Sequence, residues 1–272
     1  MGGGLQRIGW LAVAGCLLLP ACTADPGPPA PSATTPEPSV SVPEPVDGPA
    51  VDWSDVTVVV DPGHQLGNSR FPRQTGRRRP AGGFSTTCNS TGTSTDDGFP
   101  EATFTFRVAE RLRRLLERRG AQVIMTRTTN SSHLWGPCAD QRGRAGNAVA
   151  ADVKVSIHAD GSYTDGRGFH VIAPTDRAPW TDDIYHSSKH LARDLKRGLI
   201  RTGFAPADYV AGGDGLDFRS DLGTLNLSDI PTVVVESGNM RNSSEARVMS
   251  SRNGQYRYAL ALLRGISTFL SR

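Results

Sequence analysis

The sequence predicts a single α/β domain in which a mostly parallel, twisted β-sheet carries helices on both faces. Two continuous runs rich in valine, at 56–61 and 232–235, are typical of strands that are buried on both sides. Between them, amphipathic helical segments alternate with further short apolar segments. This β-α-β-α order favours a parallel sheet, because parallel neighbours are joined by a crossover connection.

The first half of the folded region gives clear local signals. The strand at 56–61 stops at an Asp-Pro-Gly turn, and a long loop rich in Gly, Arg, Ser and Thr follows at 65–99. Pro100 then opens a helix at a position where its missing N–H group costs nothing, and Gly120 ends that helix. The helix has one apolar face, which is formed by Phe106, Ala109, Leu112, Leu115 and Leu116.

Strands and helices continue to alternate in the second half. Further strands are predicted at 121–126, 153–157, 168–173 and 232–235. Further helices are predicted at 138–150, 181–202, 245–249 and 254–270. Asp182 and Asp183 suit the first turn of the long 181–202 helix, where acidic side chains interact favourably with the helix dipole. A polar loop rich in Gly and Asp follows at 205–222.

The first 50 residues differ in composition from the remaining domain, which covers 51–272. Residues 1–22 hold one charge and a short apolar run, which predicts a secretory signal peptide. Its last residues, Leu-Pro-Ala-Cys, resemble a bacterial lipobox and make Cys22 a candidate for lipidation; an ordinary signal peptide with an incidental cysteine is the alternative. Residues 23–50 contain nine of the 19 prolines and no aromatic residue, which predicts a disordered linker.

The charge pattern argues against a nucleic-acid-binding protein. The net charge is only +3, and the arginines at 107–119 alternate with glutamates, which indicates a solvated helix face. The arginine cluster at 77–79 could meet an anionic polymer or lipid, but a solvated loop is the favoured interpretation. No nucleic-acid partner is therefore expected.

Polar side chains stand where three of the predicted strands end. His64 follows the first strand, His158 follows the third, and Glu236 follows the last. Glu101 lies at the start of the helix after the first strand. Because binding sites of open α/β sheets form outside the carboxyl ends of the strands, these four residues are expected at one rim of the sheet.

These residue types are the ones that a hydrolytic zinc site uses. Two neutral imidazoles and one carboxylate leave zinc an open position for water, whose pKa then falls to about 7. A second carboxylate can take the proton and pass it to the leaving amine. We assign His64, Glu101 and His158 as metal ligands. Glu236 is assigned as the acid–base group, and Asp61 as a residue that orients His64.

Each of these residues alone would be weak evidence. A histidine at a strand end is more often a satisfied polar group than a ligand, and an acidic residue at a helix start usually serves the helix dipole. The joint arrangement favours the functional interpretation. The other histidines lack such support: His133 lies in a loop, and His170 lies inside a strand. His186 and His190 are four residues apart on a helix but lack the glutamate spacing of a metalloprotease motif.

Five sequence blocks carry a resemblance to a known family. They are VVVDPGHQ at 58–65, the helix-opening Glu101, MTR at 125–127, Arg142 with AGNAVAADVKVSIHAD, and VVVESGNMRN at 233–242. With them the chain resembles the zinc-dependent N-acetylmuramoyl-L-alanine amidases of bacterial cell walls. SIHAD and ESGNMRN are the most specific, since they match the family's Ser-x-His-x-Asn/Asp and Glu-x-Gly-x-x-x-Asn blocks. The resemblance covers about the whole folded part.

The resemblance implies a zinc ion on His64, Glu101 and His158, with Glu236 as the catalytic residue. It implies hydrolysis of the amide that joins the lactyl group of N-acetylmuramic acid to L-alanine of the stem peptide. Peptidoglycan is then the substrate. Export would place the protein at the outer face of the cytoplasmic membrane, in the periplasm or in the cell wall. A lipid on Cys22 would anchor it to the membrane, and a monomer is expected.

Two features depart from the family pattern. The segment after His64 is QLGNSRF instead of a glycine-rich segment with Asp-x-Gly, and the loop that leads to Glu101 is long. Asp96, Asp97 and Glu110 are therefore alternative carboxylate ligands, although the position of Glu101 in GFPEATFTF favours it.

Cys88 and Cys138 are the two cysteines of the folded region, and an even pair in an exported protein suggests a disulfide. Two free buried thiols are the alternative. Cys88 lies in the long loop and Cys138 follows the second strand, so a bridge would hold the loop beside the rim.

Two other functions are compatible with the residues. One is a different zinc hydrolase of cell-wall peptides or glycans, such as a peptidase or a carbohydrate deacetylase. The other is a non-catalytic wall-binding lipoprotein, against which the presence of both histidines and both glutamates argues. Product analysis on muropeptides separates the three.

Overall fold

The computed structural model describes residues 51–162 and 165–272. The predicted signal peptide (1–22), the lipidation candidate Cys22 and the predicted linker (23–50) lie outside the described residues. The strands are β1 Thr57–Pro62, β2 Arg78–Pro80, β3 Ser85–Thr87, β4 Gln122–Met125, β5 Val153–Asp160, β6 His170–Pro174, β7 Leu216–Arg219 and β8 Thr232–Asn239. The helices are α1 Pro72–Thr75, α2 Glu101–Glu117, α3 Ala139–Arg144, α4 Tyr185–Arg201, α5 Gly223–Asn226, α6 Ser243–Ser250 and α7 Arg252–Leu270.

Six strands form one sheet in the order β4-β1-β5-β8-β6-β7. Strands β4, β1, β5 and β8 are mutually parallel, whereas β6 pairs antiparallel with β8 and parallel with β7. The prediction of a mostly parallel α/β sheet is therefore confirmed. Strands β2 and β3 form a separate antiparallel hairpin within the long loop.

Helices cover both faces of the sheet. On one face, α2 packs on β1, β4 and β5, α4 packs on β6, β7 and β8, and α7 packs against both of these helices. On the other face, α5 packs on β6 and β8 and against α3. Among the described residues, no helix combines the length and the apolar character that a membrane span requires. Strand β5 shows how the two faces differ. Val153, Val155 and Ile157 alternate with Lys154 and Ser156, and all five side chains are buried.

Two strands are longer than predicted, and this moves the site residues. The apolar runs were expected to end before His158 and Glu236, but β5 continues to Asp160 and β8 to Asn239. Pairing persists because His158 and Glu236 are register partners on these adjacent strands, and the register shifts only between His158 and Asp160. Both side chains therefore belong to the sheet itself.

Two other element predictions were wrong. The helix expected at 138–150 ends at Arg144, since Gly146 (φ 88°) and Ala150 (φ 48°) have left-handed backbone, which a right-handed helix cannot contain. A single 3-10 turn, Asn147–Val149, lies between them. The loop expected at 205–222 contains the edge strand β7, whose pairing with β6 the polar sequence does not reveal.

The predicted disulfide between Cys88 and Cys138 is present. Cys88 follows the hairpin and Cys138 directly precedes α3, so the bridge joins the hairpin to the start of this helix. A backbone hydrogen bond from the Ala139 N–H to the Cys88 carbonyl (2.7 Å) reinforces the link. The long loop is thus fixed covalently at the edge where His64 lies.

Removal of this disulfide should destabilise the domain substantially. The bridge closes a loop with a sequence separation of 50 residues. On the chain-entropy model, a loop of this size corresponds to about 4 kcal/mol of free energy of unfolding. Denaturant unfolding of the double variant Cys88→Ser/Cys138→Ser, compared with the oxidised parent, measures this difference. An unchanged unfolding midpoint would contradict it, and thiol alkylation with mass analysis verifies the oxidised state of the parent.

Candidate metal centre

His64, Glu101 and His158, the predicted ligands, converge at the carboxyl edge of the sheet. His64 Nε2 and His158 Nδ1 lie 3.1 Å and 3.0 Å from the same oxygen, Glu101 Oε1. One candidate donor atom from each residue lies within 4.8 Å of the others. The two imidazole rings meet edge to face, with centroids 4.8 Å apart. Three side chains that are distant in sequence thus direct their donor atoms to one possible metal position.

Two of the three alternative carboxylates, Asp96 and Glu110, lie elsewhere in ion pairs. Asp96 is paired with Arg241 at 2.6 Å, and Glu110 is paired with Arg113 and Arg114 on the outer side of α2. The group of metal-competent residues found among the described residues contains neither of these, nor Asp97.

Glu101 is fixed by backbone donors. It is the first residue of α2, and its Oε2 accepts from the Thr93 N–H (2.9 Å) while Oε1 accepts from the Ala159 N–H (3.1 Å). Burial alone would raise the pKa of Glu101. The adjacent imidazoles of His64 and His158 outweigh burial and lower that pKa, so the carboxylate is ionised.

His64 occupies an unusual backbone position. Its φ is +57°, a left-handed conformation that is uncommon for residues other than glycine. Its Nδ1 lies 3.1 Å from the Ser90 carbonyl oxygen. A carbonyl can only accept, so Nδ1 carries a proton, and Nε2 is the ring nitrogen that faces Glu101. The imidazole is therefore oriented so that Nε2 is the nitrogen available to a metal ion.

Two buried arginines hold the turn that carries His64. Arg142 donates to the carbonyl oxygens of Pro62 and His64, both at 2.7 Å. Arg127 donates to the carbonyl oxygens of Pro62 and Gly63, both at 3.0 Å. Three consecutive carbonyls are satisfied in this way, which stabilises the left-handed turn and fixes the direction of the histidine.

Asp61 does not orient the imidazole of His64, so that assignment was wrong. Its buried carboxylate pairs with Arg142 and accepts from the hydroxyls of Thr126 and Ser156. The reason is geometric: Asp61 still lies within β1, and its side chain is directed to the sheet face that α3 covers. Asp61 acts on His64 indirectly, through the guanidinium of Arg142.

Glu236 lies in the same row of the sheet as His158. The two residues are register partners on β5 and β8, and His170 on β6 continues the row beyond Glu236. Among the described residues, Glu236 Oε2 and His170 Nδ1 are buried without a hydrogen-bond partner. His170 was interpreted as structural, and its place beside Glu236 could not be seen from the sequence.

The electrostatic surroundings of Glu236 suit proton transfer. Burial raises its pKa well above the ordinary value of a glutamate, and the charges of Glu101 and Asp160 act in the same direction. Arg219 opposes them only partly. A carboxyl group with a raised pKa is a better proton acceptor than an ordinary glutamate, and it can still return the proton to a leaving amine.

An open cavity of about 230 Å³ gives access to these groups. Its lining includes His64, His158 and Glu236, the hairpin residues Thr86 and Thr87, and Arg219, Asp221 and Thr224 on the far side. The hairpin therefore forms a wall of the cavity, which the sequence did not predict.

The donor set fits a zinc ion. Two imidazole nitrogens and one carboxylate oxygen are one of the ligand sets of catalytic zinc sites, which keep a further position open. Bonds of about 2.0–2.1 Å in tetrahedral geometry separate donor atoms by roughly 3.3 Å, close to the two observed separations from Glu101. The backbone also approaches the site closely: a Cβ at Gly92 would lie 2.7 Å from Glu101 Oε2 and 2.9 Å from the His64 ring.

Comparison with known proteins gives a consistent result. A family model for N-acetylmuramoyl-L-alanine amidase matches residues 58–268. The N-acetylmuramoyl-L-alanine amidase Rv3717 of Mycobacterium tuberculosis is 39% identical over 218 residues, covering 79% of this chain and 87% of the relative.

Two crystal structures share the fold closely. The N-acetylmuramyl-L-alanine amidase Ami1 of Mycobacterium smegmatis has a TM-score of 0.75 and 38% identity, and the match covers 80% of this chain and 98% of Ami1. The apo form of Ami1 from Mycobacterium abscessus has a TM-score of 0.74 and 36% identity, with coverages of 80% and 99%.

Proposed function

The chain belongs to the N-acetylmuramoyl-L-alanine amidase family, and we propose that it cleaves peptidoglycan by zinc-assisted hydrolysis at the centre formed by His64, Glu101 and His158. The bond cleaved is the amide between the lactyl group of N-acetylmuramic acid and L-alanine of the stem peptide. The convergence of both imidazoles on Glu101 Oε1 carries this proposal.

Zinc held by two imidazoles and a carboxylate supplies Lewis acidity, which polarises a carbonyl and makes hydroxide available near neutral pH. The residues of the chain would hold the ion and transfer the proton. Glu101 is ionised and held by the N–H groups of Thr93 and Ala159, so it does not compete for the reaction proton.

Glu236 is the proposed acid–base residue. It faces the same cavity as the two histidines, and its Oε2 atom has no hydrogen-bond partner among the described residues. The carboxylate takes the proton of the attacking water and then gives it to the nitrogen of the leaving L-alanine amine, which would otherwise depart as an unstable anion. Carbon–nitrogen cleavage thus leaves a lactyl carboxylate and a free stem peptide.

The location and state of the protein follow as proposals. The predicted signal peptide would export the chain to the compartment that holds peptidoglycan. A lipid on Cys22 and the 23–50 linker would let the domain act at a distance from the outer face of the membrane. The domain is proposed to work as a monomer.

Product analysis on purified muropeptides tests the function. We expect free stem peptide that begins with L-alanine, together with an intact N-acetylmuramic acid product. Prior treatment with a chelator should remove most of the activity, and added zinc should restore it. Released acetate would indicate a deacetylase, a shortened peptide would indicate a peptidase, and no product from zinc-loaded protein would indicate a binding protein. Each of these outcomes contradicts the proposal.

A further inference from the structure

The segment that follows His64 places an asparagine behind the metal centre. Asn68 belongs to QLGNSRF, the part of the loop that departs from the family pattern, and only 1% of its surface is exposed. Its side-chain amide donates from Nδ2 to the Ser90 carbonyl (2.7 Å) and accepts at Oδ1 from the Gly136 N–H (3.0 Å). Asn68 therefore joins the loop that carries Ser90 to the loop that carries Gly136.

The Ser90 carbonyl has a second donor, which is His64. Its oxygen lies 3.1 Å from His64 Nδ1 and 2.7 Å from Asn68 Nδ2, so both lone pairs have partners. Ser90 Oγ lies 3.3 Å from the same Nδ1, so the carbonyl and hydroxyl oxygens of Ser90 together hold the imidazole. A shift of Ser90 would displace both oxygens and weaken the alignment of Nε2 with Glu101.

Ser90 lies in a stretch of irregular backbone after the hairpin, two residues beyond the disulfide-bonded Cys88. Asn68 is itself held from the other side by Gly136, two residues before Cys138. Asn68 thus links the carbonyl to a part of the chain that the disulfide already fixes.

We propose that Asn68 is a positioning residue for His64, which acts through the Ser90 carbonyl to hold the imidazole in its metal-binding orientation. The proposal rests on the proposed function, since it requires His64 to be a metal ligand. Hydrogen-bond partners of ligating histidines in metalloproteins typically contribute tenfold to a hundredfold to metal affinity.

Zinc affinity of the metal-free protein provides the test, measured by competition with a chromophoric chelator. We expect Asn68→Ala to weaken zinc binding by about tenfold, the lower end of the range for direct partners of ligating histidines, because Asn68 acts through the Ser90 carbonyl. Asn68→Asp should also weaken it, because this variant keeps an oxygen for the Gly136 N–H but presents a second oxygen to the Ser90 carbonyl. Agreement between the two variants attributes the loss to the Ser90 side of the amide.

Asn147→Ala is the matched control. The amide of Asn147 bonds the Leu227 carbonyl and Asp229, so the variant loses comparable hydrogen bonds without a connection to the centre. It should keep the parent affinity for zinc. The proposal is overturned if Asn68→Ala binds zinc as tightly as the parent, or if Asn147→Ala loses as much affinity.

His64→Ala separates the two levels of the inference. If it loses zinc while Asn68→Ala does not, the role of Asn68 fails and the metal centre stands. If His64→Ala retains the parent affinity, the ligand assignment fails, and the role of Asn68 fails with it.

Discussion

Replacement of Glu236 by glutamine should reduce the turnover of muropeptides by about 10²–10⁴-fold, the range typical of a lost general acid–base group. Glutamine keeps the size and shape of the side chain but can neither take the proton of water nor return it to the leaving amine. Glu236 is not among the residues that converge on the metal position, so zinc binding should remain at the parent level. Steady-state kinetics with a soluble muropeptide, together with zinc content, measures both quantities.

For the Glu236→Gln variant, kcat should fall while the zinc content stays at the parent level. Glu110→Gln is a suitable control, because Glu110 is a carboxylate of α2 that pairs with Arg113 and Arg114 away from the centre. This control should keep both activity and zinc. If Glu236→Gln turned over muropeptides at the parent rate, Glu236 would have no part in proton transfer. If it lost zinc as well, Glu236 would be a ligand or a support of one.

The rim that gathers the candidate ligands could be predicted because it follows from chain direction alone. Parallel strands present their carboxyl ends at one edge, so residues at the ends of β1 and β5 must be near each other. His64 and His158 satisfy this rule, and Glu101 satisfies it because it opens α2, the crossover helix between the parallel strands β1 and β4. The rule needs no knowledge of side-chain contacts.

The alternation of apolar and polar residues in β5 is visible in the sequence. Val153, Val155 and Ile157 occupy one face, while the positions between them are polar. Lys154, for example, is fully buried and donates to the Arg142 carbonyl on α3 (3.3 Å). A strand with period-two polarity that is buried on both faces indicates a polar layer under one helix, and here that layer leads to His158.

The groups that orient the ligands could not be predicted, because they depend on contacts between distant loops. Ser90 reaches His64 from 26 positions away, and Arg142 reaches the His64 carbonyl from 78 positions away. Hydrophobic periodicity carries no information about such pairs. Nearness in sequence was misleading for Asp61, which is three residues from His64 and bonds instead to Arg142 and Ser156.

The exchange of Asp61 for asparagine should lower the free energy of unfolding by about 3–5 kcal/mol at pH 7, since removal of one partner from a buried ion pair leaves the other charge uncompensated. Asp61 is fully buried, and Arg142 beside it is 5% exposed as a side chain. The guanidinium of Arg142 would keep its carbonyl partners but lose the negative charge. Denaturant unfolding of the variant and the parent measures the difference.

An exposed pair provides the control for this comparison. Glu117 pairs with Arg113 at 3.1 Å on the surface of α2, where both side chains contact solvent. Glu117→Gln should change the free energy of unfolding by at most about 0.5 kcal/mol, because solvent screens surface pairs one turn apart. A similar cost for both substitutions would show that burial adds nothing to the Asp61–Arg142 pair.

The effect of Asp61 should also depend on pH in a defined direction. Burial alone would raise its pKa, but the charge of Arg142 and the hydroxyls of Ser156 and Thr126 hold it at about 2, below the ordinary value of 3.8. A carboxyl whose pKa is depressed by folding stabilises the protein above its unfolded-state pKa, and that contribution is lost as pH falls through the folded-state value. The difference in free energy of unfolding between the parent and Asp61→Asn should therefore be constant from neutral pH to about pH 5 and shrink between roughly pH 4 and 2.

Other carboxyls titrate in this range too, but they are common to both proteins and cancel in the difference. A gap that stayed constant down to pH 2, or widened on acidification, would show that the charge of Asp61 is not what stabilises the turn beneath His64.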